Sequence, residues 1–121
     1  MKIRSITFFF NPLIQDANFI RKLGEFAHSI KFSCQSNGFE VQSLRLSTQP
    51  FPKIMEVTNK NQNIDWVIDL ENTASSFGFT YLSVGPALIN YPESYKFIPE
   101  ILERTKNVFT SGVIADQEHG I

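Results

Sequence analysis

The sequence predicts an α/β fold, with four strands and three helices alternating as β-α-β-α-β-α-β around a mostly parallel sheet. Three observations predict it. Short runs rich in β-branched and aromatic residues alternate with stretches whose apolar residues recur at helical spacing. The segments joining successive strands are too long for hairpins, which implies right-handed crossovers between parallel strands. The first strand is also apolar on both faces, as strands in helix-flanked parallel sheets are.

Residues 2–10, KIRSITFFF, form the first predicted strand, ended by the turn pair Asn11-Pro12. Its two-sided hydrophobicity predicts a central place in the sheet, between the second and third strands. Asp16 can cap a helix whose apolar stripe runs through Phe19, Ile20, Leu23, Phe26, Ala27, Ile30 and Cys34. Asn37-Gly38 closes it, because glycine readily takes the left-handed conformation that ends helices. Residues 39–46 form a second strand whose alternation slips phase between Val41 and Leu44, which predicts an edge or bulged strand.

Gln49-Pro50-Phe51-Pro52 reads as a stiff loop, followed by a short helical turn over residues 54–57. Asn63 can cap a second long helix with Ile64, Val67, Leu70, Ala74 and Phe77 on its apolar face, and Gly78 ends it. Asp65 in its first turn complements the helix dipole. Residues 79–84 form the third strand, broken by Gly85-Pro86, and residues 92–104 the third helix. That helix either starts near Ser94 and kinks at Pro99, or starts at Pro99 itself. Residues 108–115 form the fourth strand. No helix follows to cover it, which predicts that residues 1–121 are either a single α/β domain or the N-terminal fragment of a larger one.

Composition narrows the function classes. A hydrophobic fraction of 42% with 19% charged residues is that of a packed globular chain. Twelve phenylalanines in 121 residues exceed what one small core needs, which leaves some to face a partner or a further part of the protein. A net charge of −1, with basic residues no more clustered than Arg21-Lys22, argues against a nucleic-acid or membrane-surface partner. No stretch is long and apolar enough to span a bilayer, and Asn11-Pro12 cuts the first apolar run too short for a signal peptide. The single cysteine, Cys34, forms no internal disulfide and points to the reducing cytoplasm.

Four motifs in order carry a family resemblance: KIRSIT at residues 2–7, RLSTQPFP at 45–52, FTYLSVGPA at 79–87, and EILERTKNVFTSGVIAD followed by HGI over 100–121. Together they resemble the N-terminal portion of an uncharacterised prokaryotic family known only as a domain of unknown function. The resemblance implies a chain of several hundred residues, of which this is about the first third, and an α/β barrel like that of pyruvate formate-lyase-type glycyl-radical enzymes. Radical chemistry does not travel with the fold, since one fold hosts unrelated functions. The only cysteine here lies on the apolar stripe of a helix.

In parallel α/β sheets, ligands bind beyond the carboxyl ends of the strands. That rule collects Asn11, Arg45 with Ser47 and Thr48, Ser83 with Gly85, and Asp116 with His119. Arg45 and Thr48 suit an anionic small molecule, a guanidinium offering paired donors to a carboxylate or phosphate. Asp116-x-x-His119 could supply two metal ligands or an acid–base pair, but two residues are too few for a site and a solvated loop is the favoured reading. His28 lies off the apolar stripe, and Cys34 reads as a small core residue. No Gly-rich phosphate loop, nucleophile elbow or zinc spacing is present, and no motif requires a cofactor. Two functions compete: small-molecule binding or catalysis at the strand ends, and a non-catalytic assembly module packing through phenylalanines. The second predicts that the chain self-associates.

Overall fold

The computed structural model describes residues 1–58 and 63–112. Within them the first two predicted strands each form in two pieces. Strand β1 (Lys2–Ile3) pairs in parallel with β3 (Glu40–Val41), and β2 (Ile6–Phe9) with β4 (Leu44–Ser47). Between the pieces, the Ser43 hydroxyl donates to the Arg4 carbonyl at 3.0 Å, and the Ile6 N–H donates to the Ser43 carbonyl at 3.2 Å. This break is the phase slip seen in the sequence. Val41 and Leu44 are both buried although three residues apart, and a period of two allows that only if the strand is interrupted between them.

The main sheet has the order β2-β4-β5-β6, all parallel, with β5 spanning Tyr81–Ala87 and β6 Val108–Gly112. Each strand therefore pairs with the next one in the chain. The first strand is at the edge of the sheet and the second is central, the reverse of the sequence expectation. The cause lies in Phe8 and Phe9. Phe8 packs edge-on against Phe26 and Phe79 on the helix side, whereas Phe9 points to the other side and is 76% exposed. The apolar run thus combines one covered face with a bare one carrying a phenyl ring.

Right-handed crossovers that always step in the same direction put every helix on one side of the sheet. Burial follows this pattern: Leu44, Leu46, Leu82, Val84 and Val108 are buried, while their strand neighbours on the opposite face are exposed or half-buried. Helix α1 (Ala17–Ser36) is capped by Asp16, whose carboxylate accepts the Phe19 N–H at 3.1 Å. Its buried Gly24 meets the residue that ends α3 (Asp65–Ser76), where an added methyl would lie 2.5 Å from the Phe77 carbonyl oxygen. At the start of α3, Asn63 accepts the Asp65 N–H at 3.2 Å but does not cap the helix, which begins after Ile64.

Three local expectations change. The stiff loop at Pro50–Pro52 is already the start of α2 (Phe51–Thr58), because proline fits a first helical turn and Phe51 is driven into the core. The third helix neither kinks at Pro99 nor starts there. A 3-10 turn (Pro92–Lys96) leads into α4 (Phe97–Arg104), which holds Pro99 in its first turn, where no N–H is needed. Gly85-Pro86 does not break β5; the strand continues to Ala87 with an irregularity in its pairing to β6 between Ser83 and Pro86. Residues 113–115, expected to finish the fourth strand, lie outside the described residues.

Glu71 on α3 ties the helical layer to the last strand, accepting the N–H groups of Lys106 and Asn107 at 3.0 and 2.8 Å. Glu71→Ala is expected to lower stability by about 1 kcal/mol, the usual net worth of a hydrogen bond. Urea unfolding would show a lower midpoint at unchanged slope, and an unmoved midpoint would refute the tie.

Candidate functional site

The pleat sets which side chains share the helix-free face. The register aligns Thr7, Arg45 and Tyr81 in one row, and Phe9, Ser47, Ser83 and Phe109 in the next row towards the carboxyl ends. Arg45 leans across this face. Its guanidinium carbon lies 5.2 Å from the centroid of the Phe109 ring and 6.0 Å from that of Tyr81, and the two rings are themselves 5.2 Å apart. Cation–π attraction to two rings holds a long, flexible side chain in one place.

The charge has no ion-pair partner among the described residues. Among the described residues the ion pairs join Arg21 to Glu25, Lys96 to Glu93, and Arg104 to Asp65 and Glu100. Arg45 takes part in none of them, and its Nε is buried with no hydrogen-bond partner among the described residues. Ser47 and Ser83 stand opposite each other in the neighbouring row. The arrangement can present a guanidinium and two hydroxyls to an anion, with the paired Tyr81 and Phe109 rings on one side.

At the carboxyl rim, the Gln49 amide donates to Asn11 Oδ1 at 2.8 Å. That oxygen also accepts the Leu13 N–H, at 3.0 Å, and the Asn11 N–H donates to Gln15 Oε1 at 2.8 Å. Phe9, Asn11, Ser47 and Gln49 line an open depression of about 540 Å³ here. Of the residues expected at a site, Asn11 is thus at the rim, while Arg45 and Ser83 share the helix-free face. Thr48 lines the rim depression with Asn11 but does not share the helix-free face: it is buried, an odd number of residues from Arg45, with its hydroxyl donating to the Gln49 carbonyl at 2.9 Å. Gly85 is pressed against Pro50, where a Cβ would lie 2.8 Å from the Pro50 Cα, and its φ of +72° is a left-handed conformation suited to glycine. Asp116 and His119 lie outside the described residues.

Sequence reasoning missed Tyr81, Phe109 and Gln49. A signal for the rings existed: Leu-Arg-Leu-Ser at 44–47 and Tyr-Leu-Ser-Val at 81–84 alternate buried aliphatics with polar or aromatic residues, marking a face of different character.

A second depression, of about 510 Å³, lies between α2 and the 3-10 turn. There the Tyr91 hydroxyl donates to a Glu56 carboxylate oxygen at 2.5 Å. This bond first, then desolvation and the carboxylate's charge, push the Tyr91 phenol above its ordinary pKa. A raised value means that whatever stability the bond gives is present below the ordinary phenol pKa and lost as pH rises through the folded one. In a spectrophotometric titration of the three tyrosines, Tyr91 should ionise late, and Glu56→Gln should lower its pKa; an unchanged curve would refute the coupling.

Among the described residues no group of three or more His, Cys, Asp and Glu side chains is placed to hold a metal ion. None of the helices there is long and apolar enough to cross a membrane. His28 is exposed, close to Gly78, and Cys34 is half-buried against the core.

A comparison with curated proteins matched none of them. A family model described as uncharacterised ACR (DUF711) matches residues 1–121, so the chain belongs to that family.

Proposed function

We propose that the helix-free face of the sheet is one wall of a site for a small organic anion, with Arg45 as its principal charged contact. The observation that carries this reading is a guanidinium lying over Phe109 and Tyr81 with no carboxylate partner among the described residues. A charge drawn partly out of water without a counter-ion is costly, and an anionic ligand offsets that cost. Ser47 and Ser83 supply neutral donors beside it, Asn11 bounds the rim, and Thr48 and Gly85 shape the backbone that carries them. Asp116 and His119 follow β6 in sequence and are candidates for further contacts.

Parallel strands wound in one direction form an arc, and further strands would close it into an α/β barrel of the pyruvate formate-lyase-like type that the sequence resemblance implies. The bare face would then be interior. A net charge of −1 favours a small ligand over nucleic acid, and a lone cysteine suits the cytoplasm. Calorimetric titration of hexanoate into the wild-type chain and Arg45→Ala tests the site: saturable binding that weakens in the variant is expected. Equal affinities would remove Arg45 from it.

A second reading has its own observation. Phe9, Phe26, Phe32 and Phe109 are all exposed, and β2 and β6 are open edges among the described strands. Apolar patches and unpaired edges drive association. As an assembly module, the chain should sediment with a mass that rises with concentration, and Phe9→Glu should lower it. A monomer at every concentration would end this reading.

A further inference from the structure

Building on the anion-site reading, we infer that the ligand is a monoanion whose far end carries an uncharged hydrogen-bonding group, held by the Asn11–Gln49 pair at the carboxyl rim. The rim and the arginine belong to one continuous surface. Phe9 and Ser47 line the rim depression and also lie in the row next to Arg45. About 7 Å of strand rise separates the Cα atoms of Arg45 and Ser47, where β4 ends, and Gln49 follows two residues later. The guanidinium leans one row along the strands but across the sheet towards Phe109 on β6, whereas the rim depression lies beside β2 and β4, so a ligand joining the two crosses the sheet obliquely. A ligand of moderate length spans the two ends.

The chemistry of the two ends differs. Every described residue lining the rim depression is uncharged, so a second carboxylate placed there would find no cation among them and would lose hydration. The amide orientations are fixed by their own bonds: Asn11 Oδ1 accepts from both Gln49 and Leu13, which commits that oxygen and leaves the Asn11 amide N–H groups as donors. Gln49, having donated one N–H, keeps its second amide N–H as a donor and its side-chain oxygen as an acceptor. Donors beside an acceptor match a hydroxyl or amide, which is both, whereas a carboxylate, which only accepts, leaves the acceptor unused. The exposed Phe9 ring offers apolar contact to the methylenes between the two ends.

Three probes with the same carbon chain isolate the far end: hexanoate, 6-hydroxyhexanoate and adipate, each titrated into the 121-residue chain by calorimetry. The hydroxy acid is expected to bind about tenfold more tightly than either of the others, the scale of one to two well-made hydrogen bonds. Gln49→Leu should bring it down to the level of hexanoate, whereas Arg45→Ala should weaken all three. The wild-type ranking is informative even where a variant folds poorly. Arg45-dependent binding in which adipate equals or exceeds the hydroxy acid would overturn this inference and leave the anion site standing. So would a hydroxyl preference that survives in Gln49→Leu. If none of the three binds in a manner sensitive to Arg45, the anion site falls and this inference with it.

Discussion

Replacing Arg45 with alanine is expected to weaken anion binding by on the order of 1.5–3 kcal/mol, roughly ten- to a hundredfold, the range for hydrogen bonds to a charged group. The magnitude rests on placement. The guanidinium is held over Phe109 and Tyr81, so little side-chain freedom remains to be lost when an anion arrives. It has no ion pair to break first among the described residues. Arg45→Lys keeps the charge but loses the planar fork, and should recover only part of the affinity. Thermal stability should fall by about 1 kcal/mol or less in either variant, since the side chain contributes ring contacts and no ion pair. Calorimetric titration gives the affinities and differential scanning calorimetry the stabilities. An Arg45→Ala chain that melts like the wild type and binds as tightly would refute the assignment.

Phe51→Ala should cost about 3–5 kcal/mol of folding stability, the range for removing a buried aromatic ring. Phe51 is 0% exposed and belongs to the same core cluster as Leu46, Leu82 and Val84 of the central strands. It stands at the first position of α2, a helix of only eight residues that depends on such anchoring. The loss combines transfer of the ring with the cavity left beneath the helix. Phe32→Ala provides the contrast: that ring is 72% exposed on α1, and its removal should change stability by no more than about 0.5 kcal/mol. Urea unfolding of both variants decides the matter, and similar losses from the two would mean that burial does not set the energetics here.

The alternation of strands and helices was legible because each element carries its own period. The stripe of α1 and the alternating β4 and β5 announce themselves within a few residues. Strand order was not legible, because a run such as Ile6–Phe9 does not reveal what covers each side. Phe9 reads as core by composition and is mostly exposed. Proline misled in a different way at Pro50–Pro52: fixed φ angles suit both a stiff loop and a first helical turn, and burial of Phe51 selects the helix. Arg45 stood out as a cation near the end of a strand, but its neighbours come from β5 and β6, 36 or more residues away in the chain. No local pattern could pair it with Tyr81 and Phe109.

The strand order has a consequence for how the chain is made. Because β2 pairs with β4, β4 with β5 and β5 with β6, each strand of the main sheet pairs with the main-sheet strand synthesised next. Ile6 and its partner Leu44 are both available once the first βαβ segment has emerged, and Leu82 is synthesised before its partner Val108. The sheet can therefore grow by accretion at one margin, in step with translation.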